Sequence, residues 1–246
     1  MAVSNSIVKK NNTQILEYEA NGEKVKLSPQ TVRNYLVAGG GNVSDQELVM
    51  FLNLCKYQHL NPFLKEAYLI KYGNSPATIV TGKDVFIKRA NRNPNYLGKK
   101  AGIIVVDENG VMQEREGEFY LPGERIVGGW AQVFIKGHQS PEYAAVSFEE
   151  YAGRKSNGEL NNQWATKPGS MIRKVAVVHA LREAFPEDFG GLYSQEEIQQ
   201  AQDVVLDETP IVVSDMEQPQ QTTQPQPEPA QQPANDAAAA LFGDNF

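Results

Sequence analysis

The spacing of apolar positions changes repeatedly along the chain, and each change marks an element. Over 1–25 the residues are polar and weakly patterned, which predicts a flexible N-terminal arm. Ser28-Pro29 reads as an N-cap with proline at the first helical position. Ser44 and Glu47 form a capping box ahead of Leu48, Phe51, Leu52 and Cys55 at helical spacing. Gly39, Gly40 and Gly41 separate these two helices. Beyond Asn61-Pro62 the period shortens, and 67–72 and 77–80 read as a hairpin turned at Gly73, Asn74 and Pro76. A short helix follows over 82–93. Alternating runs at 102–107, 111–120, 127–137 and 142–148, with Asn109-Gly110 as a turn, then predict an antiparallel sheet. From 168 to 185 the chain is apolar around most of a helical circumference, which predicts a central helix buried on several sides. Ser194 and Glu197 form another capping box, for a last helix to about Val205. Gln and Pro dominate 215–233, so 206–246 is expected to be a disordered acidic tail. The fold class is therefore α+β: an antiparallel sheet packed against a long central helix, with an N-terminal helical part, all within 26–205.

Composition narrows the function. No apolar run approaches the roughly 18 residues of a membrane span, and no apolar stretch follows the first lysines as a signal peptide requires, so a cytoplasmic protein is expected. One cysteine, Cys55, and three histidines leave neither a disulfide scaffold nor a set of zinc ligands. The formal net charge of -7 argues against a nucleic-acid partner, but its distribution reverses that inference. Residues 203–246 hold eight acids and no Lys or Arg, whereas 56–100 hold nine bases against Glu66 and Asp84. A second basic run, 154–182, has six bases against Glu159, and 107–124 has six acids to one base. Such segregation is the footprint of a polyanion-binding surface.

Gly82-Lys83-Asp84 is half a phosphate loop without the Ser or Thr and the earlier Gly that nucleotide hydrolysis needs. Asp84 reads as a helix-dipole or salt-bridge partner before a metal ligand, and no cofactor is expected. Lys88 and Arg92 stand four apart on the 82–93 helix with Arg89 beside them, either as a solvated face, since the repulsion is small, or as a site where a phosphate would relieve it. Lys99 and Lys100 extend the patch, and Tyr96 either stacks on a base or packs under the loop. Arg182 interrupts the apolar row Met171, Val175, Val178, Phe185, so its guanidinium holds a structural carboxylate or reaches a ligand phosphate. Arg173 and Lys174 lie near the start of the same helix, with Trp164 and Lys167 upstream, as a phosphate clamp with an aromatic platform.

The segments LNPFLKEAYLI, TGKDVFIKRANRNPNYLG, GGWAQVFIKG and SMIRKVAVVHALREAFPEDFGGLYSQEE resemble, in the same order, the phage single-strand annealing proteins of the RecT and Redβ type, over roughly 30–200. The resemblance implies a protein that coats single-stranded DNA left by a partner exonuclease, assembles as rings or filaments and pairs the strand with its complement without ATP. It implies further partners in an annealed duplex intermediate and a host single-stranded DNA-binding protein. It assigns DNA contacts to Lys65, Lys83, Lys88, Arg92, Trp164, Arg173 and Arg182. Gly169 and Ser170 stand where the family is basic, which weakens the case for Lys167 and Lys174. The tip Leu241–Phe246 is similar in style to the acidic, phenylalanine-ended tip of bacterial single-stranded DNA-binding proteins. Two other readings stand beside this one: a protector of single strands that does not anneal, and a metal-dependent nuclease using Asp84 with Asp107 or Glu108.

Overall fold

A computed structural model describes residues 15–198. The chain opens with a hairpin, β1 (Leu16–Ala20) and β2 (Glu23–Leu27), paired in register from Leu16↔Leu27 to Ala20↔Glu23. For 16–25 this replaces the expected loosely ordered arm, while residues 1–14 of that arm lie outside the described residues. Asn21 and Gly22 both take positive φ, as a two-residue turn joining twisted antiparallel strands demands. Tyr18, Ala20, Val25 and Leu27 alternate inward, while Glu17, Glu19, Lys24 and Lys26 alternate outward. The Tyr18 hydroxyl donates to the Leu60 carbonyl at 2.7 Å, tying the hairpin to the helical part.

Ser28 caps α1 (Pro29–Thr31), and the expected first helix widens into a π-helical turn, Val32–Leu36, before β3 (Val37–Ala38). Next comes α2 (Asp45–Tyr57), whose capping box is formed and whose buried face is the expected Leu48, Phe51, Leu52 and Cys55. β4 (Ala67–Ile70) and β5 (Thr78–Thr81) make the expected hairpin, and β3 joins β4 in parallel to complete a three-stranded sheet. Helix α3 (Lys83–Arg92) follows.

The second sheet contains β6 (Tyr96–Val106), β7 (Met112–Glu116), β8 (Arg125–Ile135) and β9 (Glu142–Ser147) in the order β7-β6-β8-β9, antiparallel throughout. Short helices α4 (Phe148–Tyr151) and α5 (Asn162–Thr166) lead to α6 (Pro168–Ala184), with α7 (Pro186–Phe189) after it. Alternation places Ala101, Ile103 and Val105 of β6, Ala131 and Val133 of β8, and Ala144 and Val146 of β9 in the core with Ile172, Val175 and Ala176 of α6. The fold class is as the sequence implies. Gly129 sets the depth of this packing, because a Cβ there would stand 2.7 Å from the Ile172 carbonyl oxygen. Any larger residue would lift α6 off β8.

Ser194 and Glu197 form their capping box over a 3-10 turn, Gln195–Glu197; the rest of the expected last helix, the acidic tail and its tip lie outside the described residues. Among the described residues no helix is long and apolar enough to cross a membrane.

Candidate nucleic-acid interface

Three hollows follow one another along α3, and shared residues join them. The first, about 350 Å³, is lined by Lys88, Arg89 and Arg92 together with Asn21, Glu66, Glu187 and Asp188. A narrow middle one of about 50 Å³ carries Lys65, Lys83 and Lys88. The third, about 180 Å³, gathers Lys83 from α3, Lys99 from β6, and Arg173 and Lys174 from α6 over an apolar floor of Phe86, Ile87, Val177 and Val178. The two basic runs of the sequence thus meet in one cleft. The first hollow balances three cations with three carboxylates, whereas the third sets four cations against Asp84 and Glu196 and keeps net positive charge.

The placement of α3 follows from its sequence. Val85, Phe86 and Ala90 face the core, where Phe86 stacks on Phe189 with ring centroids 5.9 Å apart, leaving the charged residues outward. Lys88 lies 3.6 Å from the carboxylate of Glu66, itself almost fully buried and held by Asn21 Nδ2 at 2.8 Å and the Asn61 amide at 2.9 Å. Arg92 donates to Asn21 Oδ1. Arg89 is a brace: its Nη1 and Nη2 donate to the side chain and carbonyl of Gln58 and to the Asp188 carbonyl, and burial pulls its pKa down.

At the third hollow, Arg173 Nε donates to the Ala101 carbonyl at 3.3 Å and Nη1 to Glu118 at 3.1 Å. Among the described residues no acceptor meets its Nη2, so one edge of the guanidinium is open to a ligand oxygen. Lys174 pairs with Glu196, whose side chain is 6% exposed. Lys99 is held below the ordinary lysine pKa by burial and by the neighbouring charge of Arg173. No carboxylate pairs with Lys65, Lys99, Lys100 or Lys167 among the described residues, which leaves these cations for an external anion.

Other expected residues lie elsewhere. Trp164, expected as an aromatic platform, is fully buried and meets Phe148 edge-on at 5.4 Å, because Asn161 caps α5 and turns the indole inward; no face is left for a base. Tyr96 takes the packing alternative, edge-on to Phe185 at 6.3 Å, and burial raises its pKa. Arg182 takes the structural alternative: its Nη2 donates to Glu197 at 2.8 and 3.0 Å and to the Leu192 carbonyl at 3.0 Å, and the guanidinium lies 4.9 Å from the Tyr193 ring. Lys100 alternates to the opposite face of β6 from Lys99, and Lys167 is exposed at the α5–α6 junction. Sequence reasoning missed Glu118 and Glu196 as internal partners of the clamp. The capping box at Ser194 marks a turn there, but only the fold brings it back onto α6.

A family model described as the RecT family matches residues 23–210. The uncharacterised protein UU154 of Ureaplasma parvum serovar 3 is 33% identical over 162 residues, covering 64% of this chain and 63% of that relative, so the match spans less than two thirds of the relative's length. The family match takes in the hairpin strand β2, all of α3 and the whole of α6 with its clamp, and the chain belongs to the RecT family.

Proposed function

We propose that this protein binds single-stranded DNA along α3 and the adjoining cleft and anneals it to a complementary strand without ATP, in homologous recombination. The observation that supports this most is the convergence of Lys83 of α3 and Lys99 of β6 with Arg173 and Lys174 of the distant α6 on one cleft with an apolar floor. Cations at the rim hold phosphates without reading sequence, and an apolar floor accepts sugars and base faces, which is what a binder of any strand requires. Lys65, Lys88 and Arg92 continue the track along α3. The protein acts as a homo-oligomer in a bacterial cytoplasm, taking strands opened by an exonuclease and shared with a host single-stranded DNA-binding protein.

The test is the annealing of two complementary dye-labelled oligonucleotides with and without protein, at several salt concentrations and with no nucleotide present. Acceleration that fades as salt rises supports the reading. Replacing Lys99 and Lys174 together should reduce the slope of log affinity against log salt by about 1.4, at about 0.7 per phosphate contact on a single strand. Strong binding without acceleration would make the protein a protector of single strands instead. Degradation of the strands in magnesium would make it a nuclease.

A further inference from the structure

The cleft as described has cations and an apolar floor but lacks the aromatic platform that Trp164 was expected to supply. The loop between β7 and β8 carries one. Phe119 is 70% exposed, with Tyr120 at 39% and Leu121 at 45% beside it. An isolated exposed apolar residue needs no explanation, but three in succession on a loop fixed at both ends do.

The fixing is by two carboxylates, Glu124 nearly buried and Glu118 half exposed but bonded to α6. Glu124 is paired with Arg115 and accepts from the Leu121 amide at 2.7 Å. Glu118 accepts from Arg173 at 3.1 Å and from the Ser170 hydroxyl at the start of α6. The Ala101 carbonyl accepts from both the Gly117 amide at 3.0 Å and Arg173 Nε at 3.3 Å, so the loop and the arginine hang from one point. Gly169 admits the loop closely, since a Cβ there would lie 2.9 Å from the Glu118 carbonyl oxygen. The acidity of the loop is thereby matched internally at Glu118 and Glu124. Its aromatic residues are held outward, one position along the chain from the partner of a cleft arginine.

We propose that Phe119, with Tyr120 beside it, is a stacking platform for a base of the bound single strand, at the end of the cleft marked by Arg173. This rests on the proposed function. An aromatic face fixed beside a phosphate-binding cation takes any base, because every base offers a π-face, and so adds affinity without sequence preference.

The experiment compares wild type, Phe119→Ala and Phe119→Trp on a dye-labelled oligothymidylate and on an abasic deoxyribose-phosphate strand of equal length. Phe119→Ala should bind the oligothymidylate about 5- to 20-fold more weakly, with its salt slope unchanged, and bind the abasic strand as wild type does. Phe119→Trp should retain affinity, and its emission should be quenched by the oligothymidylate and not by the abasic strand. Wild-type affinity in Phe119→Ala without quenching in Phe119→Trp would overturn the proposal. So would a change in oligomer size without quenching, which would make the loop a contact between copies of the chain. If wild type binds neither strand, the proposed function falls and this proposal with it, an outcome distinct from a failure confined to the Phe119 variants.

Discussion

Replacing Arg182 with alanine separates the two roles its place in an apolar row allows. The guanidinium makes hydrogen bonds at 2.8 and 3.0 Å to the two oxygens of Glu197 and at 3.0 Å to the Leu192 carbonyl, with side chains 22% and 5% exposed. Removing one partner of a buried ion pair costs roughly 3–5 kcal/mol, because the other charge is left uncompensated. Here Glu197 keeps His179 at 3.3 Å and the Ser194 amide at 2.8 Å, which brings the expected loss to about 2–3 kcal/mol. Burial pushes the Glu197 carboxyl up, but hydrogen bonds from His179 and Ser194 and the charge of Arg182 outweigh it and hold it below its ordinary value. Its stabilising contribution is therefore present at neutral pH and lost as pH falls through the depressed value. Urea unfolding followed by far-ultraviolet circular dichroism should show a midpoint lower by about 1 M, at a slope of about 2–3 kcal/mol per M. In a double-mutant cycle, Arg182→Ala and Glu197→Gln should couple by about 1–2 kcal/mol. Single-stranded DNA binding, measured well below the shifted midpoint, should survive. A variant as stable as wild type that has lost DNA binding would refute this reasoning and place a phosphate on Arg182.

Three further outcomes follow from contacts elsewhere in the fold. Glu196→Gln removes the charge seated on Lys174 and should tighten single-stranded DNA binding about 3- to 10-fold at low salt, the gain shrinking as salt rises. Hydrogen bonds from Lys71, from the Ser44 amide and from the Ala77 amide hold Glu47 down to about 2 from its ordinary 4.5, so its stabilisation is full above pH 4.5 and lost as pH falls towards 2. Glu47→Gln should accordingly be less stable than wild type at neutral pH and match it near pH 2, as read by thermal melts across that range. Gly129→Ala would drive a Cβ to 2.7 Å from the Ile172 carbonyl oxygen and should cost about 1–3 kcal/mol in urea unfolding, by lifting α6 from β8.

What was legible in the sequence was what local chemistry decides. The capping boxes at Ser44 and Ser194, the all-round apolar α6 and the alternation of β6, β8 and β9 each follow from side chains a few residues apart. The hairpin 16–27 escaped because each strand has one buried face and one charged face, so its mean character is polar although Asn21-Gly22 marks the turn. At the site, segregated charge marked α3 and the start of α6 as two separate basic runs, and only the fold shows that they line one hollow. Which cations face the cleft is a tertiary matter. Lys99 and Lys100 look alike in sequence and fall on opposite faces of one strand, and Trp164 looks like a platform until Phe148, sixteen positions earlier, closes over it.

The internal carboxylates bear on mechanism as well as on stability. Lys174 is met by Glu196 and Lys88 lies near Glu66, so for the proposed function a phosphate arriving at these two positions replaces a carboxylate instead of filling an empty site, while Arg173 keeps one edge open beside Glu118. Replacement yields less free energy per contact than capture by a bare cation, because the displaced carboxylate must be resolvated and its geometry given up. A protector of single strands gains from the tightest possible grip. An annealer must hold a strand firmly enough to keep it extended and yet release it to its complement, so cations already shared with carboxylates suit annealing better than protection. The same logic makes Glu196 the residue to change first: if Glu196→Gln binds single strands more tightly and anneals them more slowly, exchangeability and not affinity is what the cleft is built for.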